Sequence, residues 1–199
     1  MTRKIVGFVA GFLVVGVVAA AAQVTLMPSY NAPYRAFEKH EFGGTLSFPG
    51  GSNTGIEGQY RLGYKSFDVG VRGGVVTGNG NTTVILGIEG RARVVAHTEN
   101  FPLDGAIIFG VGTNEFDSFN FPLGLSLGRR IDLEDSNISI TPYAQPTMFI
   151  VTNTGPGADN VFFGLGLGAD FRLSSVFDVR ASVGFGDVDG FSVSAVWVR

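Results

Sequence analysis

The residues best placed to do chemistry in this chain are charged side chains that recur at alternate positions within apolar stretches. Arg172 and Arg180 each lie two residues from an aspartate, Asp170 and Asp178 respectively. Residues two apart on an extended chain point to the same side of a sheet, so each such pair would share one face. The full set is Glu57, Arg61, Asp68, Arg72, Glu89, Arg91, Arg93, Asp170, Arg172, Asp178 and Arg180.

This set has a structural and a functional interpretation. Charges that are removed from water must be paired, so acids and arginines on one inward face would form a network of ion pairs. The functional alternative is a proton path, an ion path or a binding pocket. We favour the ion-pair network, because a narrow barrel is filled by its own side chains. Arg172 and Arg180 are expected to pair with Asp170, Asp178 or Glu89.

Residue types that usually carry catalysis are scarce. The chain has two histidines, His40 and His97, and no cysteine. Neither histidine has a convincing partner in the sequence, and two isolated histidines do not make a zinc site. We therefore predict that the protein is not an enzyme, with no catalytic residue, no bound metal and no cofactor.

One glycine-rich run, at residues 164–168, resembles part of a dinucleotide-binding fingerprint. That fingerprint requires a helix to follow. Here Asp170, Phe171 and Arg172 continue a strand-like alternation instead. The run is therefore interpreted as part of a strand.

The first 22 residues predict a signal peptide. Arg3 and Lys4 form a positive start, residues 5–18 are apolar, and Ala20, Ala21 and Ala22 give a small-residue cleavage site. The alternative, an uncleaved membrane anchor, is disfavoured because the apolar core is short for a span. Residues 23–39 predict an irregular lead-in at the periplasmic side, and residues 40–199 form one domain.

The elements of that domain alternate with a period of two, which indicates strands. In residues 163–173 large apolar side chains occupy every second position, and glycine, Asp170 and Arg172 occupy the others. Residues 177–185 and 191–197 repeat the pattern. We count about ten strands, with eight as the alternative if the less regular segments, 103–112 and 137–151, do not span. Pro142 and Pro146 predict a bulge or weakened pairing in the second of these.

The face that points into the barrel, polar or apolar, distinguishes a membrane barrel from a soluble one. A soluble barrel points its apolar face inward, whereas a membrane barrel reverses this arrangement. The polar faces here carry many glycines, such as Gly164, Gly166 and Gly168, which suit a narrow lumen, and the apolar faces carry large groups. The sequence therefore predicts an all-β, up-and-down antiparallel transmembrane β-barrel. The alternative is a soluble periplasmic or secreted β-barrel that binds an apolar ligand.

A leader, meandering amphipathic strands and a last strand that alternates Phe191, Val193, Ala195 and Trp197 resemble the small outer-membrane β-barrel family of OmpA-like and OmpX-like proteins. Arg199 departs from the family's usual terminal aromatic residue. The resemblance implies the bacterial outer membrane, its lipids and the barrel-assembly machinery as partners, and a structural or interaction role with minor pore activity at most. A net charge of −3 offers no basic surface for nucleic acid.

Overall fold

The structure, a computed structural model, describes residues 25–33, 39–134, 136–153 and 160–199. The predicted signal peptide, residues 1–22, lies outside these ranges, and of the predicted lead-in only residues 25–33 and 39 are described.

The described residues form ten long antiparallel strands and one two-residue strand. Each long strand has 9 to 15 residues, which matches the length that a tilted strand needs to cross a bilayer. The strands are β1 (Glu41–Pro49), β2 (Thr54–Tyr64), β3 (Phe67–Gly78), β4 (Asn81–Val95), β5 (Asp104–Asn114), β6 (Ser118–Gly128), β7 (Ile131–Asp132), β8 (Ser139–Val151), β9 (Val161–Arg172), β10 (Phe177–Gly186) and β11 (Gly190–Val198).

Sequential strands pair with one another, and the sheet closes on itself. β1 pairs with both β2 and β11, and β6 pairs with both β5 and β8, so the described strands form a complete ring. The short β7 extends the edge of β8 beside this ring. The prediction of an all-β, up-and-down barrel of about ten strands is confirmed, and the eight-strand alternative is wrong because residues 104–114 and 139–151 both form full strands.

The barrel is apolar outside and polar inside. On β11, Phe191, Val193 and Trp197 are between 44% and 48% exposed, whereas Ser192 and Ser194 are buried. The same alternation follows the other long strands, and it places arginines and carboxylates among the most deeply buried side chains. A soluble barrel, the alternative weighed above, would have the reverse arrangement.

The prolines of β8 weaken its pairing on one side only. The ladder between β8 and β9 runs without interruption and includes the pairs Pro142–Ala169 and Pro146–Leu165. The ladder between β8 and β6 lacks the pairs at Gln145 and Pro146 but keeps one register on both sides of that gap. The predicted weakening is present, but a bulge is not. The bulge in the described strands lies between β4 and β5, at Arg93 and Val95.

The lead-in is not where the sequence suggested. Residues 25–33, called the inner segment below, lie inside the barrel and not outside it, where a periplasmic lead-in was predicted, and all but Leu26 are buried. The segment is irregular, as predicted, because Pro28 and Pro33 interrupt regular structure. A ten-stranded barrel is wider than an eight-stranded one, whose own side chains fill the interior. The additional width accommodates one further length of chain.

The inner segment runs from one end of the barrel towards the other. We call the end where β1 begins and β11 ends the terminus end, and the opposite end, at the β10–β11 turn, the Asp189 end. Met27 lies near the Asp189 end, beside Gly50, Gly51 and Asp189. Pro33 lies near Gly128, at the terminus end of β6. The chain therefore passes along the lumen before it enters β1.

Candidate functional site

The first group of buried charges lies on the inner wall formed by β2, β3 and β4. Arg61 donates to Asp68 from Nε at 2.9 Å and forms a second ion pair with Glu89. Arg91 donates from Nε to the other oxygen of Asp68 at 2.9 Å. All four side chains are at most 2% exposed. These residues, called the Asp68 cluster below, hold two positive and two negative charges.

The sheet register explains why these four side chains meet. Asp68 and Arg91 are direct partners across β3 and β4, so their side chains lie on one face at adjacent positions. Glu89 pairs with Gly70, which also pairs with Arg61 on the other side. A Cβ atom at Gly70 would lie 2.9 Å from Cγ of Arg61. The absence of a side chain at Gly70 thus lets Arg61 lie across β3 to reach Glu89.

The second group, the Arg180 cluster, lies on the part of the wall that runs from β1 across β11 and β10 to β9. Arg180 contacts Glu41 at 2.7 Å, Asp170 at 3.2 Å and Asp178 at 3.7 Å. The expected approach of Arg180 to Asp170 and Asp178 is present, whereas Glu89 contacts Arg61 instead. Glu41 was not among the predicted lumen residues. It lies on the polar face of β1, two residues before Gly43 and four before Thr45, and this spacing is the signal that could have indicated it.

The remaining predicted site residues lie at the edges of these groups. Glu57 and Arg72 are buried and are 3.7 Å apart. Arg93 and Arg172 are only half-buried, near the terminus end. Arg172 is the direct strand partner of Asp178. The lumen thus brings together the central members of the predicted set and leaves Arg93 and Arg172 at its margin.

Three arginines of the wall bind the inner segment directly. Arg72 donates to the carbonyl oxygen of Ser29 at 3.1 Å and to its hydroxyl at 2.6 Å. Arg91 donates to the carbonyl oxygen of Ala32 at 2.7 Å, and Arg180 donates to Oδ1 of Asn31 at 3.2 Å. The segment therefore connects the Asp68 cluster with the Arg180 cluster across the lumen.

Neutral polar side chains of the wall hold the segment's backbone. The backbone N–H of Tyr30 donates to the Ser182 hydroxyl at 3.1 Å, and the Ser126 hydroxyl donates to the Asn31 carbonyl oxygen at 2.8 Å. The Tyr143 hydroxyl donates to the Tyr30 carbonyl oxygen at 2.7 Å. On the β2 side, the hydroxyl of Thr25 bonds the carboxylate of Glu57. Contacts of this kind compensate the backbone polar groups of a chain that is removed from water.

The glycines of β9 form a depression that receives Tyr30. The Tyr30 ring lies directly over Gly166, where any Cβ atom would overlap it, and the Tyr30 hydroxyl would lie 3.2 Å from a Cβ atom at Gly164. Tyr30 is 2% exposed. The glycine run on β9 thus has a specific role, which is to leave room for one aromatic side chain of the inner segment.

A cavity of about 460 Å³ lies above the inner segment at the Asp189 end. Its lining includes Met27 below, Val76 and Ile85 on the wall, and Asn53 and Asp189 at the rim. The cavity is therefore a recess that ends at the inner segment.

The two histidines lie outside the lumen. The sequence offered no partner for His97, but in the structure its Nδ1 lies 3.0 Å from Oδ2 of Asp104, and its backbone N–H donates to Oδ1 at 3.2 Å. His97 lies in the exposed connection between β4 and β5, and Asp104 is the first residue of β5. His40 is exposed and exchanges backbone hydrogen bonds with Arg199. The expectation that His97 has no partner is therefore wrong, and Asp104 escaped notice because the intervening loop folds back on itself.

Within the described ranges, no group of three or more histidine, cysteine or acidic side chains has a geometry that could hold a metal ion. The same part of the chain contains no helix that is long and apolar enough to cross a membrane.

Comparison with known proteins identifies no family. No family model and no curated protein matches the chain. One solved structure with a similar fold is described as "De novo design of transmembrane beta-barrels"; it is 9% identical, with a TM-score of 0.43 over 85% of this chain and 98% of that one. The resemblance to OmpA-like and OmpX-like proteins therefore stays a prediction.

Proposed function

We propose that this protein is a β-barrel of the bacterial outer membrane with a structural or interaction role and with a lumen closed by polar side chains and by the inner segment. Outer-membrane lipids and the barrel-assembly machinery are the proposed partners. The observation that carries the proposal is the distribution of apolar and charged side chains across the wall.

The outer surface supports a lipid environment. Large apolar side chains on every long strand are exposed, for example Ile56 at 60%, Leu123 at 52% and Phe163 at 61%. Soluble monomers rarely expose a continuous apolar surface of this extent. In a bilayer the same surface contacts acyl chains, and the closed ladder leaves no unpaired strand edge in the hydrocarbon.

Aromatic pairs near both ends of the strands fit the two interfaces of a membrane. Phe42 stacks on Trp197 near the terminus end, with ring centroids 5.7 Å apart. Phe48 stacks on Phe191 near the Asp189 end, with ring centroids 4.6 Å apart. Aromatic side chains are typical of the boundary between hydrocarbon and headgroups. By analogy with bacterial barrels, the terminus end would face the periplasm.

Migration in gel electrophoresis tests the membrane location. A closed barrel resists detergent until it is heated, so the unboiled protein is expected to migrate differently from the boiled protein. It should also partition with the membrane fraction and need detergent for extraction. Recovery in the aqueous fraction, with one migration position before and after boiling, would contradict the proposal.

The structural role is proposed without a catalytic function. The His97–Asp104 pair is the one arrangement of described residues that resembles part of a catalytic site, because an acid orients a histidine in many such sites. His97 is 56% exposed in its side chain. It lies in the connection at the terminus end, away from the cavity at the Asp189 end. That placement supports a role of Asp104 in fixing the loop.

A further inference from the structure

We infer that the barrel is a pore closed by its own N-terminal region, and that displacement of the inner segment opens a passage for small inorganic ions. This activity goes beyond the structural role proposed above. Three features of the lumen support it: the wall closes without the segment, polar and charged side chains line much of the wall, and most side-chain contacts that hold the segment are hydrogen bonds.

The wall does not depend on the inner segment for closure. The ring of strands is completed by the ladders between β1 and β11 and between β6 and β8. The ion pairs of the Asp68 cluster join one wall strand to another, and so do those between Arg180, Glu41 and Asp170. Removal of the segment therefore leaves both the backbone ladder and the main charge pairs intact.

The space that the segment occupies is lined mainly by polar side chains, together with an apolar group formed by Tyr143, Phe149 and Val188. Side chains that contact the segment include Glu57, Arg72, Ser126, Gln145 and Ser182, from five different strands. A peptide chain occupies a cross-section of about 5 by 10 Å, from the spacing of strands and sheets. A vacated volume of this width, lined by polar groups, admits monovalent ions that exchange part of their hydration shell for the polar groups of the wall.

The contacts that hold the segment are of a kind that water can replace. They are hydrogen bonds to hydroxyl, amide, carboxylate and guanidinium groups, such as Ser182 to the Pro28 carbonyl oxygen at 2.7 Å and the Asn31 N–H to Gln145 at 3.3 Å. When water replaces the partner, the net loss of free energy is modest for a bond between neutral groups and larger for the bonds to Glu57, Arg72, Arg91 and Arg180. The apolar contacts are those of Tyr30 with the depression on β9 and of Tyr30 and Ala32 with Tyr143, Phe149 and Val188. The segment is thus a removable obstruction.

The passage is expected to conduct ions of both signs. Displacement of the segment leaves the guanidinium groups of Arg72, Arg91 and Arg180 facing the lumen without their bonds to the segment. Carboxylates lie beside each of these arginines, namely Glu57, Asp68 and Glu41. Since positive and negative groups alternate around the passage, the reversal potential in a KCl gradient should lie close to zero.

The test is planar-bilayer recording in KCl of the full chain and of one variant. The variant truncates three side chains of the segment, Ser29→Ala, Tyr30→Ala and Asn31→Ala, and so removes the Tyr30 contact and the side-chain bonds to Glu57, Arg72 and Arg180. The unaltered protein should be closed for most of the record, and the variant should show at least a tenfold higher open fraction. A matched control, His97→Ala, Thr98→Ala and Glu99→Ala in an exposed connection, should behave as the unaltered protein does.

Thiol labelling provides a second measurement that needs only a mild change. The chain has no cysteine, so Ser29→Cys places a single thiol on the segment and Ser175→Cys places one in an exposed turn. In the Ser175→Cys variant, a charged, water-soluble thiol reagent should label the thiol at once. In the Ser29→Cys variant, labelling should be slow, at a rate that rises with the open fraction of the pore.

Three results would overturn the inference. The first is a triple variant that retains heat-modifiable migration and yet is as silent as the unaltered protein. The second is current without labelling at position 29, and the third is a wide, steady channel in the unaltered protein, because in both cases ions pass while the segment stays in place.

Discussion

At the scale of single residues, Asp68 is the buried carboxylate on which two arginines of the lumen depend. It accepts hydrogen bonds from both Arg61 and Arg91 while it is nearly inaccessible to solvent. Asp68→Asn would leave two buried guanidinium groups with one remaining carboxylate, Glu89. We expect a loss of about 3–5 kcal/mol in the free energy of unfolding, because an uncompensated buried charge is costly. Urea titration of the refolded barrel in lipid vesicles measures this loss.

An exposed ion pair supplies the control for that experiment. Arg130 and Asp132 are 2.6 Å apart, but their side chains are 41% and 68% exposed. Asp132→Asn should change stability by about 0–1 kcal/mol, since exposed pairs are weak. Equal losses in the free energy of unfolding for Asp68→Asn and Asp132→Asn would mean that water reaches Asp68.

The histidines give a second prediction at this scale. Changing His40 and His97 together to Asn should leave lipid acylation and peptide cleavage by cell envelopes unaltered, because no nucleophile is found beside the His97–Asp104 pair among the described contacts. Envelope assays on cells that carry the double variant measure this. A variant that still folds but loses either activity would show that the protein is an enzyme.

Sequence could identify many of the lumen residues but few of their partners. Alternation alone marks Asp170 and Arg180 as inward, because strand geometry fixes the face of a residue locally. Glu41 reaches Arg180 only because the first and last strands adjoin, and that depends on ring closure. Likewise, no local pattern relates Arg91 to the carbonyl oxygen of Ala32. Contacts of this kind depend on the whole ring and are invisible in a window of sequence.

At the scale of the strands, the lipid-facing side of β11 should respond to charge according to depth. Val193 lies near the middle of this strand and is 46% exposed. Val193→Arg should destabilise the barrel in lipid by about 2–4 kcal/mol, since a guanidinium at the bilayer midplane loses its hydration. Urea titration in vesicles measures this change.

A substitution near the membrane surface is the matched control. Val161 begins β9 and is 41% exposed. Its accessibility is therefore similar to that of Val193, but it lies less deep in the bilayer. Val161→Arg should change stability by about 0–1 kcal/mol. If both arginines are tolerated equally, the outer surface does not face lipid.

The strands themselves were largely predictable, and the reason is visible in β9. A wall with lipid on one side and a crowded lumen on the other imposes strict alternation, as between Leu165 or Leu167 and the glycines beside them. β8 was harder to assign, because Pro142 and Pro146 argue against a paired strand. Both prolines are exposed on the outer face, and β8 keeps an unbroken ladder with β9, so the prolines are tolerated.

At the scale of the whole molecule, the number of strands and the content of the lumen are linked. An eight-stranded ring is filled by its side chains, whereas ten strands leave space along the axis. Here that space holds residues 25–33. The sequence indicated that this segment is irregular, but Pro28, Tyr30 and Pro33 carry no signal that distinguishes a buried segment from an exposed one. Its place depends on the glycines of a distant strand, such as Gly166.

The pairing of β1 with β11 also has a consequence for how the molecule forms. This ladder joins the start of the domain to its end, so it carries the largest loop-closure entropy of any strand pair and should be the slowest to form. The inner segment precedes β1 directly in the chain. It is therefore enclosed when the ladder between β1 and β11 forms, so the last step of barrel closure places the segment inside the lumen. Because formation of this ladder is expected to be the slow step, variants that weaken Phe42–Trp197 stacking should slow refolding more than they speed unfolding.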